Sequence, residues 1–81
     1  MTPKNKLKAH SAAVMHLKFF HGNKLLSIDK KSAAIVWDIY TGKVLQRLEG
    51  IHDDITSVAM DEEEQFLFLG TQLGYVFIYD L

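Results

Sequence analysis

Short apolar runs alternate with polar turns along the whole chain, and their spacing predicts β-strands. Val14 to Phe20 carries apolar Val14, Leu17 and Phe19 and is followed by the turn signal His21-Gly22-Asn23. Lys24–Asp29, centred on Leu25-Leu26-Ser27-Ile28, is a second strand, and Asp29-Lys30-Lys31-Ser32 a polar turn. Ala33 to Ile39 is apolar apart from Asp38. An uninterrupted run of this kind predicts a strand covered on both faces. Tyr40-Thr41-Gly42 turns the chain into Lys43–Leu48, a more polar, edge-like strand. The pattern then restarts. Ile55–Met60 predicts a strand, Asp61 to Glu64 a charged turn, Gln65–Thr71 a strand, Leu73-Gly74 a turn and Tyr75–Leu81 a third strand. β-branched and aromatic residues dominate these runs, and turn residues fall every eight to twelve positions, which argues against helix.

The restart is a repeat. Val14, Leu17 and Phe19 match Ile55, Val58 and Met60 at an offset of 41. Leu25, Leu26, Val36, Trp37 and Asp38 match Leu67, Phe68, Ile78, Tyr79 and Asp80 at an offset of 42. A period of ~40–45 residues with four strands per unit and a Trp-Asp ending is the pattern of a propeller blade.

At these residues the chain resembles the WD-repeat β-propeller family. That family places a Gly-His pair before the first strand, a Ser in the second, an Asp in the turn before the third, and Trp-Asp at the third strand's end. The first repeat offers Ala9-His10, Leu25-Leu26-Ser27 and Ile35-Val36-Trp37-Asp38. The resemblance extends over residues 7–81. It implies an all-β fold of two antiparallel propeller blades, a partial propeller whose second blade lacks its outer strand. A tail would occupy residues 1–6, the first blade 7–48 and the second, incomplete blade 49–81. It also implies a structural hydrogen-bond network of His10, Ser27, Trp37 and Asp38. The turn Asp falls at Lys31, with Asp29 two residues away, so the network is expected to be partial. In the second repeat Leu69, Leu73 and Tyr79 stand for Ser, Asp and Trp, and Gly50-Ile51-His52 carries one extra residue before its His, so that blade is degenerate.

His10, Ser27 and a nearby Asp also fit a catalytic triad. The strand-stapling role implied by the resemblance is preferred, because no Gly-x-Ser-x-Gly elbow is present. The reading is of a protein that is not an enzyme. His10, His16, His21 and His52 lack paired ligand spacing, and there is no cysteine, so no metal or other cofactor is expected. Trp37, Tyr75, Phe77 and Tyr79 read as core packing on the third strands, Tyr40 as exposed, and His16 and His21 as surface.

Charge sharpens the picture. Lys and Arg total nine and all lie in residues 1–48, with only Asp29 and Asp38 as acids, giving +7. Residues 49–81 hold eight acids and no Lys or Arg, giving −8. The basic half has no dense stripe interleaved with aromatics, so no nucleic-acid partner is expected. No run of about eighteen apolar residues predicts a membrane span. The missing signal peptide, cysteines and glycosylation sequons lead to an intracellular setting, cytoplasmic or nuclear.

The functional expectation is a protein-interaction scaffold or adaptor, as a fragment of a larger propeller or a subunit for one. The alternatives are a degenerate or truncated fragment with a structural role only, and an accessory module of an enzyme complex. Partner-binding candidates are the loops on one rim: Ser11, Ala12 and Ala13; Lys30, Lys31 and Ser32; His52, Asp53 and Asp54; and Gln72. The partner is a protein, the remainder of a propeller, or the chain itself. In the last case Asn5–Ala9 of one copy would complete the last sheet of the next, in a head-to-tail ring.

Overall fold

The computed structural model describes Pro3 and residues 6–81, so the tail expected over residues 1–6 lies largely outside the described residues. Seven strands form: β1 (Val14–Phe20), β2 (Lys24–Asp29), β3 (Ala34–Asp38), β4 (Val44–Leu48), β5 (Ile55–Met60), β6 (Phe66–Thr71) and β7 (Val76–Asp80). No helix occurs among the described residues. The strands make two antiparallel sheets, β1-β2-β3-β4 and β5-β6-β7, each ordered as in the chain. The expected strands are all present, with ends one residue shorter at β3, β4, β6 and β7. The short loops leave room only for hairpins, which is why each sheet is a simple meander.

The two sheets repeat each other in detail. Leu17 pairs with Ser27 and Phe19 with Leu25, as Val58 pairs with Leu69 and Met60 with Leu67. Both first strands carry a register shift near their start, between Val14 and His16 and between Ile55 and Ser57. The β1–β2 turn needs left-handed backbone at Asn23 (φ 67°), and its counterpart Glu64 adopts the same conformation (φ 57°). Glu is a poor residue for that conformation, so geometry has been retained there against local preference.

The sheets stack face to face around one core. Leu26, Ile28, Ala34, Val36 and Leu48 of the first sheet join Ile51, Ile55, Leu67 and Leu69 in a single buried cluster, with Val58, Met60, Phe77 and Tyr79 packed at its edge. Ile28, Leu67 and Leu69 are fully buried. The run Ala34–Trp37 is buried at every residue, as its unbroken apolarity predicted. Trp37 and Ile35 point away from the shared core, since they pair across to Leu25 and Ser27 on the opposite face.

Two expectations change. Tyr75 is not core: it sits in the turn before β7 and is exposed, because β7 begins one residue later than its apolar run. His16 is half-buried at the sheet–sheet seam, its Nε2 3.3 Å from the Ile55 carbonyl, rather than on open surface. Residues 6–9 form no strand; Leu7 lies over the first sheet's own outer face, close enough to Gly42 that a Cβ there would sit 3.3 Å from Leu7 Cδ2.

Candidate functional site

A chain of hydrogen bonds runs through the first sheet's outer face. Trp37 Nε1 donates to Ser27 Oγ at 2.7 Å. Ser27 Oγ and His10 Nε2 are 2.6 Å apart, and His10 Nδ1 lies 2.8 Å from Asp29 Oδ2. Indole N–H can only donate, so Ser27 Oγ accepts from Trp37; in the tautomer that carries the His10 proton on Nδ1 toward Asp29, the Ser27 hydroxyl donates to His10 Nε2. Every member is satisfied in this arrangement. The strands explain the convergence. Ser27 and Asp29 share one face of β2 because side chains alternate, and Trp37 lies one diagonal step from Ser27 on β3.

Asp29 is the residue that the sequence left undecided, and it holds the position expected at Lys31. Its Oδ2 takes the His10 bond, while Oδ1 accepts from the backbone N–H of Lys31 at 2.8 Å and of Ala33 at 3.0 Å. Burial opposes its charge, but the bonds from His10, Ala33 and Lys31 outweigh this and hold the carboxyl below its ordinary value of 3.8. Lys31 is exposed. The network is therefore complete in the first sheet rather than partial. Asp38 is the second correction: it does not join the chain, and its Oδ1 instead accepts from Tyr40 and Thr41 N–H to close the β3–β4 turn.

The second sheet keeps the scaffold and replaces the chemistry. Thr71 occupies the Asp29 position, and the Tyr75 N–H donates to Thr71 Oγ1 at 3.2 Å as Ala33 does to Asp29. The acidic position of this repeat is thus Thr71, not Leu73, which is exposed. Leu69 replaces Ser27, and the Tyr79 hydroxyl donates to the Glu49 carbonyl at 2.9 Å. Replacing polar members together, rather than singly, strands no buried partner. No buried side-chain polar atom lacks a partner among the described residues.

The rim candidates gather at one end, where β1 and β5 begin and β2 and β6 finish. Lys30 N–H donates to the Ala13 carbonyl at 2.8 Å, and Gln72 N–H to the Asp54 carbonyl at 2.9 Å. Ser32 ties the two halves: its hydroxyl donates to the Asp53 carbonyl at 2.6 Å and accepts from Ile55 N–H at 3.2 Å. Asp53 accepts from Leu73 N–H at 2.9 Å and Asp54 N–H at 2.8 Å. The Thr71 hydroxyl beside it, with those two amides, holds its carboxyl below the usual range despite some burial. Between the halves lies a cleft of about 300 Å³ bordered by Lys30, Asp54, Gln72 and His16. Ser11, Ala13, Lys30, Lys31, His52, Asp54 and Gln72 are exposed, while Asp53 is half-buried.

Sequence reasoning missed Ser32 and His16 as bridging groups. Ser32 has φ 64°, and Gly74 stands at the matching position with φ 94°, so the turn geometry was readable, but the bond to a second sheet was not. Among the described residues no three His, Asp or Glu side chains converge as a metal site, and no helix is long and apolar enough to cross a membrane. Comparison of the chain with protein-family models, with curated proteins and with solved structures finds no match.

Proposed function

We propose that this chain is part of a WD-repeat β-propeller, with an intact first blade and a degenerate second one, and that it works inside the cell as a non-catalytic scaffold for protein partners. The bonded chain Trp37–Ser27–His10–Asp29 is the observation that carries this reading. It staples the loop before β1 to β2 and β3, and so fixes the rim at its base. The mechanism is display: loops anchored on rigid strands present Lys30, Lys31, His52, Asp54 and Gln72 with little ordering cost on binding.

The same atoms weigh against hydrolytic chemistry. Ser27 is buried, and a lone pair of its oxygen accepts from Trp37 rather than facing a substrate. An acyl-transfer serine needs access and oxyanion donors aimed at the reacting carbonyl. A fluorophosphonate probe is expected to leave the folded protein unlabelled at Ser27; stoichiometric labelling there, read by mass spectrometry, would contradict the reading.

Partner binding is tested by placing a photocrosslinking amino acid at Lys31 or Gln72, and as a control at Glu62, which lies at the opposite end of the sheets. The rim positions are expected to capture one discrete protein band that the Glu62 position does not. Equal capture at both ends, or none at the rim, would overturn the assignment of the binding surface.

A further inference from the structure

Each sheet has two apolar faces, and the contact between the sheets shows which kind of face fits which. The first sheet meets the second through the face that carries Leu26, Ala34 and Val36. The second sheet meets it through Leu67, Leu69 and Tyr79. By the repeat, those last three positions correspond to Leu25, Ser27 and Trp37, on the first sheet's outer face. Likewise Leu26, Ala34 and Val36 correspond to Phe68, Val76 and Ile78, on the second sheet's outer face. The internal contact therefore joins unlike faces in the same sense, and one face of each kind is left open at the two ends of the stack.

Both open faces keep the character the contact requires. On the second sheet, Val76 and Ile78 are 66% and 62% exposed, beside half-buried Phe68. On the first, Leu17 and Phe19 are 65% and 66% exposed. A dimple of about 100 Å³ opens there between Leu7, Val14, Leu17, Leu25 and Trp37, which is of a size for one aliphatic or aromatic side chain. Exposed apolar clusters of this kind on a small protein mark interaction surfaces. The charges match as well: the first sheet belongs to the half at +7 and the second to the half at −8. Docking the unlike outer faces of two copies brings the basic half of one against the acidic half of the other.

We propose that a second copy of this chain docks head to tail, the outer face of its β5-β6-β7 sheet covering the outer face of the β1-β2-β3-β4 sheet, so that Phe68 and Ile78 of one copy pack over Leu17, Phe19 and Leu25 of the other. The contact reproduces between molecules the one already made within the molecule. It is heterologous, and repetition closes it into a ring when the rotation per step permits. Sheets stacked in this way close at ~4–8 per ring, that is, two to four copies. The ring size rests on the propeller reading above, whereas the head-to-tail contact concerns only the open sheet faces and is independent of what the rim loops bind.

Analytical ultracentrifugation of the chain over a range of concentrations, with two variants, tests this. Leu17→Asp damages only the first sheet's open face, and Ile78→Asp only the second's. The unmodified chain is expected to sediment as a closed species of two to four copies. Each variant alone is expected to be monomeric with an unchanged β-sheet circular-dichroism spectrum. An equimolar mixture of the two is expected to form a species of two copies and no more, because one intact face remains on each partner and the damaged faces repel. Should either variant fail to fold, Phe19→Asp and Val76→Asp make the same comparison. A monomeric unmodified chain at high micromolar concentration, variants that still assemble, or a mixture that stays monomeric would each overturn the proposal.

Discussion

Leu67→Ala is expected to destabilise the protein by about 3–5 kcal/mol, the upper part of the range for emptying a fully buried leucine site. Leu67 has no exposed surface and stands at the centre of the cluster shared by both sheets. Strand pairing holds its backbone in place on both sides, so the cavity cannot collapse. A chain of this size has a total stability on the order of 4–12 kcal/mol. The loss would therefore remove a large fraction of that stability and move the urea midpoint sharply downward. Leu73→Ala, at a 74% exposed turn position, is the control and is expected to change stability by less than about 0.5 kcal/mol. Urea unfolding followed by Trp37 fluorescence distinguishes the two. Equal, small effects would mean that the sheets do not share a core.

Asp29→Ala is expected to cost about 3 kcal/mol or more. The carboxylate is buried and accepts three bonds, from His10, Lys31 and Ala33. Its removal leaves the imidazole and two backbone N–H groups without this acceptor, and each of these part-buried bonds to a charged group is worth roughly 1.5–3 kcal/mol. The charge also fixes a pH dependence. The folded state holds the Asp29 carboxyl below its ordinary 3.8, so the folded state favours the ionised form. That contribution is complete above pH 3.8 and disappears as the pH falls through the lower folded value. Asn at this position mimics the protonated acid. Melting temperatures of the unmodified protein and Asp29→Asn are therefore expected to differ most near neutral pH and to converge as the pH falls below 3.8. A gap that stays constant over that range would exclude a stabilising carboxylate at position 29.

These two sites also mark what the chain made legible and what it hid. Hydrophobic spacing located every strand, because burial on one or both faces leaves a period that a single sequence displays. The offset of 41 to 42 residues identified two like sheets, since Leu26 and Phe68, or Val36 and Ile78, occupy the same register in each. His10, Ser27 and Trp37 were readable as one network. Asp29 rather than Asp38 supplies its acid, because Asp29 shares a face of β2 with Ser27, whereas Asp38 follows Trp37 directly on β3 and alternation turns it to the other face. The second repeat offered the missing signal: Thr71 lies 42 residues beyond Asp29 and takes the same bond from the residue four positions later. Ser32 and His16 were illegible for a different reason. Their partners, Asp53 and Ile55, lie in the loop leading into the other sheet and at that sheet's first residue, and no local pattern encodes how two sheets slide on each other.

The apolar residues that the second sheet carries in place of the first sheet's polar chain have a physical rationale in this arrangement. Leu69 stands where Ser27 stands, but its side chain faces the first sheet rather than an open surface covered by one loop. An apolar residue gains burial there, and the polar chain has nothing left to organise. Conversely, Ser27, Trp37 and His10 lie on the stack's outer face, where the loop of residues 6–10 is the only described cover, and directional bonds hold that loop down. The pattern of retained and lost polar residues thus follows from which face of each sheet is already packed.

Two repeats of one sheet stack over a shared core. Methyl nuclear Overhauser effects on a specifically labelled sample test this most directly. Cross-peaks are expected between the methyl groups of Leu26, Ile28 or Val36 and those of Leu67 or Leu69, together with interstrand amide contacts in register across β1–β2 and β5–β6. Methyl contacts confined within each half of the chain, or sequential amide contacts of helical type across Ala34–Asp38, would contradict it.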